Sequence, residues 1–341
     1  MSNQTSDFEF MLWMRSLNIN FLYYSTVIIL PFGLFFNTLS TIIFLRPRFK
    51  KTTNGFNNII INTVNNLLLM VIFAIYYTQS TGKDVLLTSI YACTILSFLA
   101  RLLAQHSSWI YVILVSERLV CVMYPVEYKI FKYKKLIIAV VVSIVFLFLC
   151  GLDSPNLLLY LATTQTNSSA NQTLSTLVCT GDALIIRIRD AVVIAFRMVI
   201  PFILTILLNI VLVFKLVKIK TQIRSKDSYM LIEYRFAFSI IALNVLFILT
   251  LLPNLVALIY LNLAQYDQAN LAHTRQVAVA NLMLYVGQYI SAYNYSFNFF
   301  INLRANGVFR KEFFRLIKMF ATLDFQNVSE GEDNSTHNNQ S

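Results

Sequence analysis

Charged side chains are scarce in this sequence. Asp, Glu, Lys and Arg make up 13% of the 341 residues, about half the share in a soluble domain, and 57% of the residues are hydrophobic. An ordinary water-soluble domain is therefore excluded. The three histidines, His106, His273 and His337, are scattered, and no metal spacing, phosphate loop or nucleophile motif accompanies them. We therefore expect no enzyme, no metal and no cofactor.

Long apolar runs stand where charge is missing. A helix needs about 20 apolar residues to cross a bilayer, at about 1.5 Å of rise per residue. Four charge-free runs reach that length, at 21–45, 57–78, 236–263 and 277–303, and three runs with few ionisable residues lie at 86–123, 136–160 and 191–214. They predict an all-α membrane protein, a seven-transmembrane helix bundle at 21–303. A polar N-terminal segment at 1–20 precedes it, without the basic start and cleavage site of a signal peptide.

Basic residues alternate between the segments that join these runs. They concentrate at 46–51, 129–135, 215–235 and 304–318, and only five lie in the other segments. Because cytoplasmic loops carry the excess of Lys and Arg, these four segments are predicted to face the cytoplasm and the N-terminus the outside. The net charge of +11 therefore indicates a lipid membrane and not a nucleic-acid partner. We expect a multi-pass protein of the plasma membrane.

The two predicted sides also differ in sites for modification. The sequons at Asn3, Asn167 and Asn171 fall on the outer side, where glycosylation is possible. The tail at 321–341 is polar and acidic, so we expect it to be disordered, and its hydroxyl residues offer phosphorylation sites that could dock arrestin.

Two of the four cysteines, Cys121 and Cys150, lie in apolar runs. Cys93 lies at the outer start of the third run, and Cys179 in the long loop between the fourth and fifth. Both face an oxidising compartment, so we expect a disulfide that ties the loop over the mouth of the bundle. A pair of free thiols is the alternative.

The third run ends in Glu117-Arg118-Leu119, with Pro125 downstream and Cys93 lying 25 residues before Arg118. On one helix that separation is roughly 37 Å, which places Cys93 and Arg118 at opposite membrane faces. Such charges are costly in a membrane unless they pair, so they indicate a functional site, and an ordinary boundary ion pair is the alternative. The motif resembles the acidic-Arg-Tyr signature of rhodopsin-like G-protein-coupled receptors, with Leu119 in place of tyrosine.

Further positions resemble that family over roughly residues 37–320. They are Asn37 in the first helix, Pro201 in the fifth, Pro253 in the sixth, the segment from Asn298 to Asn302 in the seventh, and an amphipathic eighth helix at 304–320. The resemblance implies a receptor that binds an extracellular neuropeptide or other small ligand. It would activate a heterotrimeric G protein when helix 6 swings outward about Pro253. A divergent invertebrate peptide-type branch and a chemosensory receptor for small molecules both fit.

Other positions depart from the family pattern. The second-helix aspartate is replaced by Asn65 or Asn66, which the sequence does not distinguish. Leu251 replaces the sixth-helix tryptophan, Phe299 the seventh-helix proline, and Asn209 and Asn302 two tyrosines that meet in the active state. Two asparagines can still hydrogen-bond across a bundle in lipid, for about 0.6–2 kcal/mol. We expect an altered switch or weak coupling.

Glu233, at the start of the sixth run, lies 20 residues before Pro253. The resemblance implies a resting-state contact between Glu233 and Arg118 that holds helices 3 and 6 together. The alternative is a solvated charge that balances Arg235.

Two arginines lie within the outer halves of apolar runs, Arg101 below Cys93 and Arg197 above Pro201. A charge at such depth costs about 2.5–3.5 kcal/mol on insertion scales, so each is expected to face a wet interior. They predict a ligand with a carboxylate or another anionic group, and pairing with Asp153 or Asp190 is the alternative. The rest of the predicted ligand site is aromatic and amide, and consists of Tyr91, Gln105, Tyr285, Gln288 and Tyr289.

A membrane transporter is the main alternative function. It predicts inverted repeats and pairs of broken helices, and the sequence shows neither.

Overall fold

The computed structural model describes residues 2–50, 52–124, 134–167, 173–222, 241–242, 244–260 and 275–319. Glu233, Asn171 and the tail at 321–341 lie outside the described residues, so the predictions made for them stay predictions. Asn167 lies within them, as does the backbone of Asn3.

Helices dominate the described chain. They are α1 (Ser2–Phe44), α2 (Thr53–Ser80), α3 (Ile90–Met123), α4 (Lys134–Asp153), α5 (Ala183–Val192, continuing through Val193–Val199 into Ile200–Gln222), α6 (Asn244–Tyr260), α7 (Arg275–Ser296 and, after Phe297, Asn298–Ala305) and α8 (307–319). Within the described residues, the five helices α1 to α5 are long and apolar enough to cross a membrane, and α6 is a shorter apolar helix. The chain is a helical, membrane-embedded protein.

The outward surfaces of the helices are apolar. Along α4 the buried residues are Ile138, Leu149 and Asp153. Leu136, Ile144, Leu147 and Phe148 on the same helix are more than half exposed. Exposed apolar surface of this extent is stable when lipid covers it. Helices suit a lipid environment because they satisfy their backbone hydrogen bonds internally.

Helix α1 extends beyond the first apolar run. It begins at Ser2, so the predicted segment 1–20 continues into the run at 21–45 without a break, and Asn3 lies in its first turn. No proline or glycine occurs before Pro31, so nothing in the local sequence interrupts the helix. The apolar part begins only at Ser16.

A β-hairpin departs from the all-α prediction. Strands β1 (Tyr160–Asn167) and β2 (Thr173–Thr180) pair antiparallel, with Leu161 opposite Cys179. β-branched threonines recur along both strands, and such residues favour extended backbone. The disulfide between Cys93 and Cys179 ties β2 to the first turn of α3, which confirms the predicted bond.

Helix α5 contains a π-helical turn at Val193–Val199, directly before Pro201. In this turn the N–H of Ile200 bonds to the carbonyl of Ala195. The next N–H in the pattern would come from Pro201, which has none, so the carbonyl of Phe196 lacks a helical donor. The indole N–H of Trp109 on α3 fills the vacancy at 2.9 Å and fixes α5 against α3.

Three apolar clusters hold the described helices together. The central one joins α1, α2, α3, α5, α6 and α7, with the rings of Tyr111 and Phe247 5.1 Å apart. A smaller one joins α3 to α5. The third lies where α1, α7 and α8 meet, and Phe299 packs there against Phe309 and Phe313. Phe299 thus anchors α8 to the bundle.

Candidate functional site

The candidate functional residues gather mainly at the two ends of the bundle. The Cys93 face is the end that holds Cys93, Asp153 and the hairpin. The Arg118 face is the end that holds Arg118, the turn after α1 and helix α8. Contacts of Arg46 with Glu312 and of Lys135 with the carbonyl of Lys50 bring basic ends of different helices together on the Arg118 face.

Arg118 lies buried at the end of α3, with a side chain 3% exposed. Its Nε is 2.8 Å from a carboxylate oxygen of Glu117, and its Nη2 is 3.5 Å from the hydroxyl of Thr53 at the start of α2. The ion pair of Glu117 with Arg118, which the sequence offered as the alternative to a functional site, is therefore present in the structure. A paired arginine can be buried because the carboxylate compensates part of its lost hydration.

The structure distinguishes Asn65 from Asn66. The hydroxyl of Ser107 on α3 donates to the side-chain oxygen of Asn65 at 2.7 Å, and Asn65 is fully buried. Asn66 points away from that position and donates to the hydroxyl of Thr38 on α1 at 3.3 Å. Asn65 thus holds the interior polar position of α2.

A line of hydrogen bonds runs from the middle of α3 to the Arg118 face. The hydroxyl of Tyr111 donates to the side chain of Asn298 at 2.9 Å. Asn302, one turn further along α7, donates to the Asn298 carbonyl at 2.9 Å and to the Asn58 side chain at 3.4 Å. Asn58 donates in turn to Asn54 at 3.1 Å, next to Thr53. We call Tyr111, Asn298, Asn302, Asn58 and Asn54 the amide line.

Asn209 and Asn302 hydrogen-bond to other asparagines. Asn244 on α6 donates to the side-chain oxygen of Asn209 on α5 at 3.4 Å. Asn302 bonds across to Asn58 on α2 instead. Asn244 was not expected from the sequence, because only the relative rotation of α5 and α6 shows that it faces Asn209. The Asn37 side chain donates to the carbonyl of Tyr295 at 2.8 Å and joins α1 to α7.

On the Cys93 face, Arg101 pairs with Asp190. Its Nη1 is 3.3 Å from a carboxylate oxygen of Asp190, and the same oxygen lies 2.9 Å from Nε of Arg189. Gln105, one turn below Arg101, donates to Asp153 at 2.8 Å. Of the two alternatives for Arg101, internal pairing is the one observed.

Arg197 differs from Arg101 in this respect. Among the residues that the structure describes, it forms no ion pair, and its buried Nε has no hydrogen-bond acceptor. It lies close enough to Arg101, Asp153 and Tyr76 for their charges and dipoles to interact. This guanidinium therefore has open donors inside the bundle.

The remaining predicted ligand residues divide into two groups. Gln288 accepts a hydrogen bond of 2.9 Å from the Tyr76 hydroxyl. The same hydroxyl interacts electrostatically with Tyr285 and with Arg197, so these residues form one group. Tyr289 is 2% exposed, and its ring packs edge-on against Phe21 of α1. Tyr91, which is 73% exposed, lies on the outside of α3. Tyr76 was missed by the sequence interpretation.

Glu312 on α8 is a second residue that the sequence interpretation missed. Its buried carboxylate lies 3.2 Å from Arg46, 3.5 Å from Arg48 and 2.7 Å from Arg315. A single acid within a basic amphipathic segment is a signal that could have indicated such a contact. The ion pairs of Glu312 with Arg46 and Arg48 fix α8 against the turn after α1.

Replacing Glu312 with glutamine is expected to destabilise the Arg118 face by about 1–3 kcal/mol, because a charged hydrogen-bond acceptor is lost. Arg46 carries most of this effect, since Arg48 and Arg315 are more than half exposed and solvent screens their pairing. The measurement is the fraction of detergent-solubilised protein that survives heating. Asp182→Asn is the control, because this exposed acid makes no cap hydrogen bond. Equal heat survival of the two variants would contradict the prediction.

Among the described residues, no group of three or more His, Cys, Asp or Glu could hold a metal ion. The polar groups that the structure brings together at the two ends form ion pairs and hydrogen bonds, mostly through arginine, carboxylate and amide side chains.

No protein-family model matches this chain, and no curated protein does.

Proposed function

We propose that this chain is a seven-transmembrane receptor of the rhodopsin-like G-protein-coupled kind. The Cys93 face would lie outside the cell and the Arg118 face in the cytoplasm, with the protein in the plasma membrane. An extracellular ligand, a neuropeptide or another small molecule, would act on the Cys93 face. The response would be activation of a heterotrimeric G protein at the Arg118 face.

The observation that carries this proposal is the buried pair of Glu117 and Arg118 at the end of α3. Cys93, at the other end of the same helix, is tied to the hairpin that joins α4 to α5. One helix thus connects a disulfide-anchored face to a buried cation. Burying an arginine at a helix end is costly, so its presence there favours a functional role over a structural one.

The amide line supports communication between the two ends. It consists of neutral side chains on α2, α3 and α7 that hydrogen-bond across helices, and it ends beside Thr53, which contacts Arg118. Hydrogen bonds between neutral groups in a bundle contribute only about 0.6–2 kcal/mol each. They can therefore exchange partners at small cost when the helices shift.

The contact between α5 and α6 supports a movable sixth helix. Pro253 lies within α6, where the missing N–H weakens the helix. Towards the Arg118 face, the bond between Asn244 and Asn209 is long, at 3.4 Å. Its loss would let the end of α6 swing outward and open a cleft for a helix of the G protein.

The experiment is nucleotide exchange on a panel of purified heterotrimeric G proteins, with membranes that contain the chain. We expect ligand-independent exchange above that of membranes without it. Arg118→Ala is expected to lower the excess at least tenfold, because the buried cation is the proposed contact for the partner. Arg187→Ala, an exposed arginine on α5 at the Cys93 face, is the matched control and should leave the excess unchanged. Equal exchange by the Arg118→Ala and wild-type proteins, at equal membrane levels, would overturn the proposal.

A further inference from the structure

Resting on the proposed function, we infer that Arg197 forms an anion site at the Cys93 face, so that the extracellular ligand carries a carboxylate or an equivalent anionic group. The predicted ligands are thereby narrowed to organic acids whose uncharged part is aliphatic or aromatic. Neutral and cationic ligands are excluded as the principal class.

The first argument is a charge imbalance inside the bundle. Three guanidinium groups, those of Arg101, Arg189 and Arg197, share this region with two carboxylates, Asp153 and Asp190. One positive charge is left over among the described residues. A surplus cation attracts an anionic ligand and repels an amine.

The second argument identifies which cation is open. Asp190 serves both Arg101 and Arg189 through one oxygen. Asp153 accepts from Gln105 through one oxygen, and its other oxygen is buried without a partner. Arg197 thus pairs with neither acid at ion-pair distance, and within the described parts of the chain its buried Nε has no hydrogen-bond acceptor. A buried donor is stabilised by gaining an acceptor, and a carboxylate matches the planar guanidinium with two parallel bonds.

The third argument concerns the body of the ligand. Arg197 lies within electrostatic range of Tyr76, whose hydroxyl donates to Gln288 at 2.9 Å and also interacts electrostatically with Tyr285. These three residues come from α2 and α7, whereas Arg197 comes from α5, so the site spans the bundle. Aromatic rings with a few polar groups are the usual lining of a small-molecule site.

Asp153 acts in this arrangement as an internal competitor for the ligand. It is 1% exposed and close enough to Arg197 for their charges to interact. Its negative charge partly compensates Arg197 while the site is empty. Removing that charge should therefore strengthen the binding of an anion.

The experiment compares acids with their own neutral amides as probes. Purified full-length protein in detergent is heated with 3-phenylpropionate, hexanoate or N-acetylphenylalanine, and in parallel with the primary amide of each. A probe that binds the folded protein raises the unfolding temperature, and the rise grows with the ratio of its free concentration to its Kd. We expect at least one acid to stabilise the protein at millimolar concentration while its amide does not. If no acid exceeds its amide, the inference is overturned.

Variants then locate the site. Arg197→Gln should weaken the acid at least tenfold, Arg197→Lys should retain part of the binding, and Asp153→Asn should tighten it several-fold. Arg187→Gln, the exposed control, should bind like wild type. Acid binding that survives Arg197→Gln undiminished would overturn the assignment. The thermal measurement involves no G protein, so the two proposals can fail separately. Acid binding without nucleotide exchange would support the anion site and contradict the receptor function. Nucleotide exchange without acid binding would support the receptor function and contradict the anion site.

Discussion

Replacing Gly287 with alanine is expected to cause the largest loss of folded protein of any single-methyl change in α7. An added Cβ at Gly287 would lie 2.7 Å from the Cα and 2.8 Å from the backbone N of Asn254, and 3.1 Å from the carbonyl carbon of Pro253. These are main-chain atoms of α6 and cannot rotate away. Inserting a methyl into packed structure costs about 1–3 kcal/mol, and more where backbone must move.

The contact lies beside the proline of α6, so its effect should extend beyond stability. Pushing α6 away from α7 at Pro253 changes the angle at which its other end meets α5. We expect Gly287→Ala to lower the amount of protein that survives heating in detergent, and to change basal nucleotide exchange per molecule that survives. Both quantities can be measured on the same membranes.

Gly151→Ala is the matched control for this substitution. Gly151 lies in α4, and a Cβ there would meet no atom within 4 Å. Alanine favours a helix over glycine by about 1 kcal/mol, so this variant should be as stable as wild type or slightly more stable. Gly287→Ala with the heat survival of Gly151→Ala would show that the helices are not as close as described.

The membrane-embedded helices could be predicted because hydrophobic length is a property of the sequence alone. A helix that crosses lipid must be apolar over about 20 residues. That requirement gave α1 to α5 without any knowledge of their neighbours. The cysteine pair followed from the same topology, since Cys93 at the outer start of the third run and Cys179 in the loop after the fourth are both predicted to face the oxidising side.

The partners of the interior polar residues could not be predicted, because they depend on how each helix is rotated. Asn65 and Asn66 are adjacent in sequence, but successive residues on a helix point about 100° apart. Only the packed bundle shows that Asn65 meets Ser107 and that Asn66 meets Thr38. The same limit applies to Asn244, whose contact with Asn209 joins residues on different helices.

The region of the proposed anion site shows how a local backbone feature decides side-chain pairing. Val193–Val199 forms a π-helical turn, which changes the rotation of the preceding part of α5 relative to Pro201. Asp190 lies before this turn and Arg197 within it. The rotation therefore contributes to bringing Asp190 to Arg101, while Arg197 forms no ion pair with any residue that the structure describes. A regular helix assumed from the sequence would orient these residues differently.

Breaking the disulfide gives the second large expected effect. The bond closes a loop between residues 86 positions apart, and removing a native disulfide costs about 2–5 kcal/mol. Cys93→Ser, Cys179→Ser and the double variant should each lower the surface level several-fold, because the hairpin is no longer fixed over the mouth of the bundle. The surviving protein should also lose acid-dependent stabilisation, since Asp190 and Arg197 follow the hairpin directly in the chain.

The double variant separates loss of the bond from exposure of a reactive thiol. If the bond itself matters, the double variant should be no less stable than either single variant, because the same cross-link is absent in all three. Cys150→Ser is the control, since this cysteine is a free thiol in α4 and its loss should change the surface level little. If the bond has formed in the oxidising compartment, adding reductant before a denaturing gel should slow the migration of wild-type protein. The variants that lack Cys93 or Cys179 should migrate the same with and without reductant. A fully reduced wild-type protein at the cell surface would mean that the Cys93 face does not meet the oxidising compartment, and the proposed direction of signalling would fail with it.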